Sequence, residues 1–289
     1  MKSLAEFVMR GRFQALLLVV AGAGSLMFCW ISAAVIALVT LRKGTAQGAW
    51  LLLWALLPAG VLLYAFGDSG PLTLLLGTML LAVVLRETVS LSLALLCSVA
   101  VGVGTGLVLI VFGGEFLQQV VAIFSDFLAQ LEQQVSTQSE QNVVLPRPTT
   151  VQVAGLMGAG NAAVSVLCLL LGRYWQAALY NPNGFGDEFR QLRFAPAIAG
   201  VLALIAVGVA SLGVEYRTWA VIGVMPLNFA GLALVHARVK ARGQGTGWLT
   251  GFYLAWLLFD PVKMMVVFAA IADSWFDFRQ RWQQPPDTN

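Results

Sequence analysis

The chain contains 289 residues, of which 59% are apolar and 11% are charged, with a formal net charge of +3. A soluble domain carries roughly 25% charged residues, and a soluble fold of this size could not keep so much apolar surface away from water. Composition therefore argues against a soluble enzyme, a disulfide-rich secreted domain, a disordered chain and a nucleic-acid-binding protein.

Continuous apolar runs recur along the chain, without the alternation of membrane strands, and they predict an all-α, polytopic transmembrane helical bundle. A helix needs about 20 apolar residues to cross the ~30 Å hydrocarbon core, and we expect about six to eight such segments in a single integral membrane domain, residues 1–289. The stretches that reach or approach this length are Phe13–Leu41, Ala46–Phe66, Pro71–Leu85, Val89–Phe112, Val151–Leu171, Phe194–Leu212, Trp219–His236 and Trp248–Ala272.

The first and last of these stretches are irregular. Phe13–Leu41 has 29 residues without a charge, about 43 Å as a straight helix, which is too long for an upright crossing. Within it, the stretch Ala21–Ser25 contains two glycines, which weaken a helix. Trp248–Ala272 is interrupted by Asp260-Pro261, and proline removes a helical hydrogen bond. Both segments are therefore expected to be bent or re-entrant.

Basic residues predict the orientation, because the cytoplasmic connections of membrane proteins are enriched in Lys and Arg. The connections 173–193 and 238–242 are basic and are separated by two segments, so both are expected to be cytoplasmic. Basic residues both precede Phe13–Leu41 (Arg10, Arg12) and follow it (Arg42, Lys43), so the simplest consistent solution makes this stretch a re-entrant or paired short hairpin with a cytoplasmic N-terminus. The C-terminus is external if the last segment crosses, and cytoplasmic if Asp260-Pro261 turns it back.

The connection 113–150 is expected to be an acidic external loop. Apolar residues recur in it every three or four positions, which predicts an amphipathic helix with Phe124 on its buried face. Such a helix lies on the membrane or on its own bundle, or else it docks a partner or covers an outward cavity, and the sequence leaves these alternatives open. The apolar positions are Leu117, Val120, Phe124, Phe127 and Leu131.

Four polar residues within apolar segments are candidate ligand-binding residues. Each charge at a bilayer centre costs about 2.5–3.5 kcal/mol, so Asp260 and Lys263, three positions apart, are expected to neutralise one another. They form a ligand site at the helix break, or an internal ion pair that stabilises it. Asn161 and Asn228 lie on two other segments, where they bind a neighbouring helix or contribute to a polar site between helices.

Two stretches beside the membrane, 181–193 and 273–281, combine aromatic and charged residues. In the first, Phe185 and Phe189 share a helical face next to Arg190 and Arg193. Aromatic residues at headgroup depth commonly anchor a helix at the membrane surface. These four residues are therefore candidate partner contacts or, in the alternative, interfacial anchors.

Residues typical of catalysis or metal binding do not cluster in the sequence. The three cysteines lie inside apolar runs and the single histidine, His236, is isolated, so we expect no catalytic residues, no metal site and no cofactor. The glycine-rich run 102–106 lies within an apolar segment and indicates close helix packing rather than nucleotide binding.

Three motifs carry a family resemblance: NPNGFGDEFRQLRF at 181–194, ADSWFDFRQR at 272–281 and ALVTLRKG at 37–44. They resemble the YybS-like family of predicted bacterial integral membrane proteins, a domain of unknown function, over nearly the whole chain. That family is distantly similar to the substrate-binding membrane subunits of energy-coupling-factor transporters, which hold a micronutrient and dock onto a transmembrane partner with ATPases. The resemblance implies a multi-pass protein of the bacterial cytoplasmic (inner) membrane.

These observations favour a non-enzymatic subunit that binds or transports a small molecule. Its expected partners are the lipid bilayer, a small-molecule ligand, and another membrane protein or an energising ATPase complex. The alternative is a membrane scaffold or assembly factor that recruits partner proteins through its cytoplasmic loops. A cavity lined by Asn161, Asn228 and Asp260 would favour binding, and a packed bundle would favour a scaffold.

Overall fold

Fifteen α-helices and a 3-10 turn at Val214–Tyr216 account for most of residues 2–139 and 144–283, the parts of the chain that the computed structural model describes. Within those ranges there is no β-strand, so the predicted all-α fold is confirmed. In chain order the helices are α1 (Lys2–Arg10), α2 (Arg12–Ala23), α3 (Cys29–Lys43), α4 (Thr45–Phe66), α5 (Gly70–Thr88), α6 (Leu91–Leu96), α7 (Ser98–Phe112), α8 (Gly114–Ser139), α9 (Thr150–Tyr180), α10 (Gly184–Arg190), α11 (Pro196–Ser211), α12 (Arg217–Ala241), α13 (Thr246–Leu258), α14 (Asp260–Phe276) and α15 (Phe278–Gln283).

Membrane-crossing length is reached in the described ranges by α4, α5, α9, the continuous pair α6–α7 and α12 with its preceding turn, five segments in all. The pair α13–α14, bent by 112°, makes a sixth if it is counted as one span. Two predicted stretches are built differently: Phe194–Leu212 contains the short helix α11, and Phe13–Leu41 contains α2 and α3. The chain is a multi-pass helical membrane protein.

The predicted hairpin in the first apolar stretch is confirmed. Five residues beginning at Gly24 separate α2 from α3, and the hydroxyl of Ser32 on α3 donates to the carbonyl oxygen of Val19 on α2 over 2.8 Å. Arg12 at the start of α2 and Lys43 at the end of α3 line one small pocket. Both ends of the hairpin therefore lie at the same face of the bundle.

The last apolar stretch bends where the sequence predicts a break. Phe259 has an extended backbone, with φ −120° and ψ 112°, and Pro261 lies in the first turn of α14, where its missing N–H costs no helical hydrogen bond. α13 follows α12 after a turn of four residues, and just beyond α14 Asp277 pairs with Arg193 at 2.5 Å. The pair α13–α14 thus enters and leaves at one face, and residues 277–283 lie on the side of the connection 181–193.

α9 is the central helix of the bundle, and α3, α5, α7 and α12 all pack against it. Its contact with α7 depends on glycine, because a Cβ at Gly158 would clash with the carbonyl oxygen of Gly102. On the α3 side, Gly172 lies against Ala37, and the side chain of Trp175 is fully buried. The two larger apolar clusters lie among α1–α5 and among α3, α5–α7, α11, α12 and α14, and α9 contributes to both.

Apart from Asp260 and Lys263, most charged residues lie at two opposite ends of the bundle, here called the basic face and the acidic face. The basic face carries Arg42, Lys43, Arg86, Arg173, Arg190, Arg193, Arg238, Lys240 and Arg279. The acidic face carries Asp68, Glu115, Asp126, Glu132 and Glu215, together with Arg147 and Arg217. The basic face is expected to be cytoplasmic, because cytoplasmic connections are enriched in basic residues.

α8 lies at the acidic face and packs against the bundle only through its first turns. Leu117 is buried against the apolar cluster that includes Leu109 and Val153, whereas the side chain of Phe124 is 48% exposed. The bundle therefore does not bury Phe124, and burial of this face against the membrane or a partner stays a prediction. The apolar periodicity is present, but the bundle covers only the N-terminal part of this stripe. Residues 140–143 of the predicted external loop lie outside the described residues.

Beyond α8, Glu132 ties the returning chain to the helix. Its carboxylate accepts the backbone N–H of Leu145 over 2.6 Å and pairs with Arg147 at 2.7 Å. The N–H of Leu145, and then Arg147, hold the pKa of Glu132 below its ordinary value. These contacts hold residues 145–147 beside the C-terminal third of α8, just before α9 begins at Thr150.

Candidate functional site

Asn161 joins α9 to α7. Its side-chain amide donates to Thr105 Oγ1 over 2.8 Å, and the Thr105 hydroxyl donates to the carbonyl oxygen of Val101. Interhelical hydrogen bonds of this kind contribute about 0.6–2 kcal/mol. The geometry corresponds to the structural alternative for Asn161, a link between neighbouring helices.

Asn228 and the charged pair are connected through Trp256, which the sequence analysis did not single out. The indole Nε1 of Trp256 donates to Asn228 Oδ1 over 3.3 Å. Lys263 Nζ lies 5.9 Å from the centroid of the same indole ring, within cation–π range, and 2.8 Å from Asp260 Oδ1. We call these four residues the bend cluster. Asn161 contacts another helix pair, so three of the four ligand candidates come together.

The charged half of the bend cluster faces outward. The side chains of Asp260 and Lys263 are 87% and 38% exposed, whereas Asn228 and Trp256 are partly buried. Sequence reasoning missed Trp256 because the helix breaks at Phe259, between Trp256 and Asp260, so helical spacing does not predict their contact.

The aromatic residues of α10 pack inward. Phe185 and Phe189 stack with ring centroids 6.0 Å apart. Phe185 meets Tyr174 of α9 edge-on at 6.0 Å, and Phe189 meets His236 of α12 at 5.5 Å. Phe185 and Phe189, two of the four candidate partner contacts, thus pack α10 against α9 and α12.

The charged residues of α10 continue this attachment. Asp187 pairs with Lys240 of α12 at 2.8 Å and with Arg190 at 2.6 Å. These hydrogen bonds, that from Lys240 first, hold the pKa of Asp187 below its ordinary value. Arg190 is therefore already bound to a carboxylate of its own helix.

The two juxtamembrane stretches bind each other. Arg193 pairs with Asp277 at 2.5 Å. Arg279 donates from Nη1 to the carbonyl oxygen of Arg190 over 2.7 Å and from Nη2 to that of Leu192 over 2.8 Å. Its Nε lies 3.3 Å from a carboxylate oxygen of Asp273, at ion-pair distance but without the alignment of a hydrogen bond. The C-terminal segment is thus attached to the connection that precedes α11.

A cavity of about 800 Å³ opens at the basic face, between α5, α6, α9 and α10. Pockets for small molecules commonly have volumes of roughly 300–1,000 Å³. The lining contains none of the four ligand candidates from the sequence. Its polar members are Arg86, Glu87, Ser90, Ser92, Arg173, Gln176, Glu188 and Gln191.

Polar groups of the cavity are held in place by the ends of the neighbouring helices. Arg86 Nη1 and Gln176 Nε2 both donate to the carbonyl oxygen of Leu41, over 2.8 and 3.3 Å, which satisfies an orphan acceptor at the end of α3. Arg173 and Glu188 form an ion pair at 2.6 Å. The lining therefore combines fixed donors and acceptors with charges of both signs.

Sequence reasoning missed this set because its members come from two stretches, 86–92 and 173–191, that lie far apart in the chain. Each one is a charged, amide or hydroxyl side chain near a helix end, where a solvated residue is expected in any membrane protein. The sequence does show that these residues lie at the basic ends of their segments. It does not show which of those ends come together around one cavity.

Among residues 2–139 and 144–283, no group of three or more His, Cys, Asp and Glu side chains could hold a metal ion. Comparison of the chain with protein-family models, with curated proteins and with solved structures gives no match. The resemblance to the YybS-like family therefore stays a prediction.

Proposed function

We propose that this membrane protein is a non-enzymatic subunit that binds a small polar molecule in the basic-face cavity, as a step in its transport. The cavity of about 800 Å³ is the observation that carries the proposal. In a chain with 11% charged residues, four charged side chains line this one space. Clusters of polar groups around a concave space of this size are typical of ligand sites.

The lining favours a neutral or zwitterionic ligand. Arg86 and Arg173 are balanced by Glu87 and Glu188, so neither sign of charge dominates the field in the cavity. A nucleotide or other polyanion would require an excess of cationic or backbone N–H donors. A zwitterion such as an amino acid can pair one end with a guanidinium and the other with a carboxylate.

Transport would require an energising membrane partner, such as the ATPase complex that the family resemblance implies, in a bacterial inner membrane. The scaffold alternative has less support, since Phe185, Phe189, Arg190 and Arg193 are engaged within the chain.

Thermal-shift measurements on the detergent-solubilised protein test this proposal, with a panel of amino acids, inorganic phosphate and ATP. We expect a higher melting temperature with members of the amino-acid panel only. A ligand at 100 times its Kd stabilises the folded state by about 2.7 kcal/mol. Gln191→Trp, which fills the cavity from its exposed rim, is expected to abolish the shift.

Gln130→Trp is the matched control, because Gln130 is an exposed glutamine on α8 at the acidic face. It should leave the ligand-induced shift unchanged. Stabilisation by phosphate or ATP alone, no stabilisation by any amino acid, or a shift that survives Gln191→Trp would contradict the proposal.

A further inference from the structure

The Asp260–Lys263 pair lies inside the membrane, away from both faces of the bundle. Asn228, which binds Trp256, is near the middle of the 25-residue helix α12. Gly231 on the same helix lies directly against the backbone of Val266 on α14. Asp260 is six positions before Val266, about 9 Å along a helix, so the pair is at the depth of the central turns of α12.

At that depth an exposed ion pair has no water to solvate it. Asp260 is 87% exposed, although it already pairs with Lys263. Charged residues in membrane segments usually face the interior of a bundle or a water-filled cavity, because lipid does not solvate them. The surface around the pair is apolar and outward-facing, and it includes Leu257, Leu258, Phe259, Met264, Met265 and Phe268. A protein surface is therefore expected to cover the pair.

We propose that a second copy of this chain covers the Asp260–Lys263 pair, in a two-fold symmetric dimer with the α13–α14 bend at its interface. A two-fold interface brings the same patch of both copies together. Asp260 of one copy then faces Lys263 of the other, and the reverse contact follows by symmetry. The four charges alternate in sign around the axis.

Hydrogen-bonding capacity at the pair fits this arrangement. An ammonium has three donors and a carboxylate has two acceptor oxygens. The ion pair within one chain joins Lys263 Nζ to Asp260 Oδ1, which leaves Oδ2 and further N–H groups for the second copy. Met264 and Met265 beside the pair have flexible side chains that adapt to an opposing apolar surface.

Other occupants fit the charges less well. A partner with a single cation or anion would leave one member of the pair with a like charge nearby, whereas a second copy supplies both signs at matching positions. The dimer is independent of the proposed function, because the cavity residues lie at the basic face and the bend lies within the membrane.

Charge exchange between copies tests the interface. Two differently tagged copies are co-expressed and one is captured, after reconstitution in lipid nanodiscs or a mild detergent. The double variant Asp260→Lys with Lys263→Asp keeps alternating charges when it pairs with itself. Paired with the wild type, it places Lys against Lys and Asp against Asp, and like-charge contacts of this kind are strongly unfavourable.

We expect capture between wild type and swapped variant to be at least about 10-fold weaker than either homotypic capture. The control variant is Asp126→Lys with Gln130→Asp, a charge change between exposed residues of α8 at the acidic face. The wild type should capture this control variant as strongly as it captures another wild-type copy. Melting temperature and a single elution peak show that each variant folds.

Equal mixed and homotypic capture would overturn the proposal, as would a wild-type protein that is monomeric in nanodiscs. If the swapped variant does not fold, the neutral variant Asp260→Asn with Lys263→Met replaces it and is expected to lose homotypic capture by about 10-fold. Retained capture by that variant contradicts the dimer. Recovery of a different membrane protein in place of a second copy, lost in the neutral variant, also contradicts it.

Discussion

Arg279 donates through its guanidinium Nη2 to the backbone carbonyl oxygen of Leu192 over 2.8 Å, across 87 positions of the chain. Its side chain is only 11% exposed and lies beside Asp273, which is 1% exposed. Arg279 thus joins α15 to the connection before α11, and its positive charge lies beside the buried carboxylate of Asp273.

Arg279→Ala is expected to destabilise the fold by about 3–5 kcal/mol, because it leaves the buried charge of Asp273 without its partner. Thermal unfolding in detergent measures this loss, and limited proteolysis should release the C-terminal segment first. Arg281→Ala is the matched control, since Arg281 is exposed in the same short helix. Equal melting temperatures for the two variants would contradict the conclusion that Arg279 stabilises the fold.

Gly158→Ala is expected to destabilise the protein by about 1–3 kcal/mol, because the added methyl group meets the carbonyl oxygen of Gly102 and forces α7 away from α9. Gly160, two residues later on α9, has nothing within 4 Å of its Cβ direction. Gly160→Ala should therefore be neutral, or stabilising by up to about 1 kcal/mol through helix propensity. A lower melting temperature for Gly160→Ala than for Gly158→Ala would contradict this packing.

Leu117→Asp is expected to lower the melting temperature in detergent, because Leu117 is buried where α8 leaves the bundle and a carboxyl group there loses its solvation. Phe124→Asp should change it little, since that ring is half exposed. Near-ultraviolet circular dichroism reports whether the bundle keeps its packing in each variant. A larger effect at Phe124 would mean that the stripe is covered further along α8.

Single cysteines introduced at Gln191, Arg281 and Gln130 report the orientation. The background chain has Cys29, Cys97 and Cys168 replaced. The first two probes are at the basic face and the third is on α8, so a membrane-impermeant maleimide added from outside should label Gln130→Cys alone. If Gln191→Cys is labelled and Gln130→Cys is not, the orientation is the reverse of the one expected here. If Arg281→Cys is labelled and Gln191→Cys is not, the two stretches lie on opposite sides of the membrane.

The sequence alone predicts the helices and the breaks between them, because both depend on residues that are close together in the chain. Continuous apolar runs predict helices in a membrane, and glycine at Gly22–Gly24 or proline after Asp260 acts within one turn. The positions of these breaks are confirmed by α2–α3 and α13–α14. The side of the bundle on which residues 277–283 lie required knowledge of one distant contact, between Arg193 and Asp277.

Site residues are harder to predict because they depend on which helix ends meet. Mid-segment polarity drew attention to Asn161, whose amide binds Thr105 on the adjacent helix. Arg86 and Arg173 resemble ordinary charges beside the membrane in the sequence, yet they line one cavity. Periodicity on α8 likewise predicts the helix and its apolar stripe. It does not predict how far along the helix the bundle covers that stripe, so the exposure of Phe124 could not be foreseen.

The position of α3 has a consequence for biosynthesis. Eleven of its 15 residues are buried, and part of what buries them is α9, where Gln176 donates to Leu41 across 135 positions. A ribosome adds about 5–20 residues per second, so roughly 7–27 s pass between synthesis of the two helices. During that interval, lipid or an insertion chaperone must cover the face of α3 that α9 later occupies. A chain that stalls before α9 would leave this face open to membrane quality-control proteases.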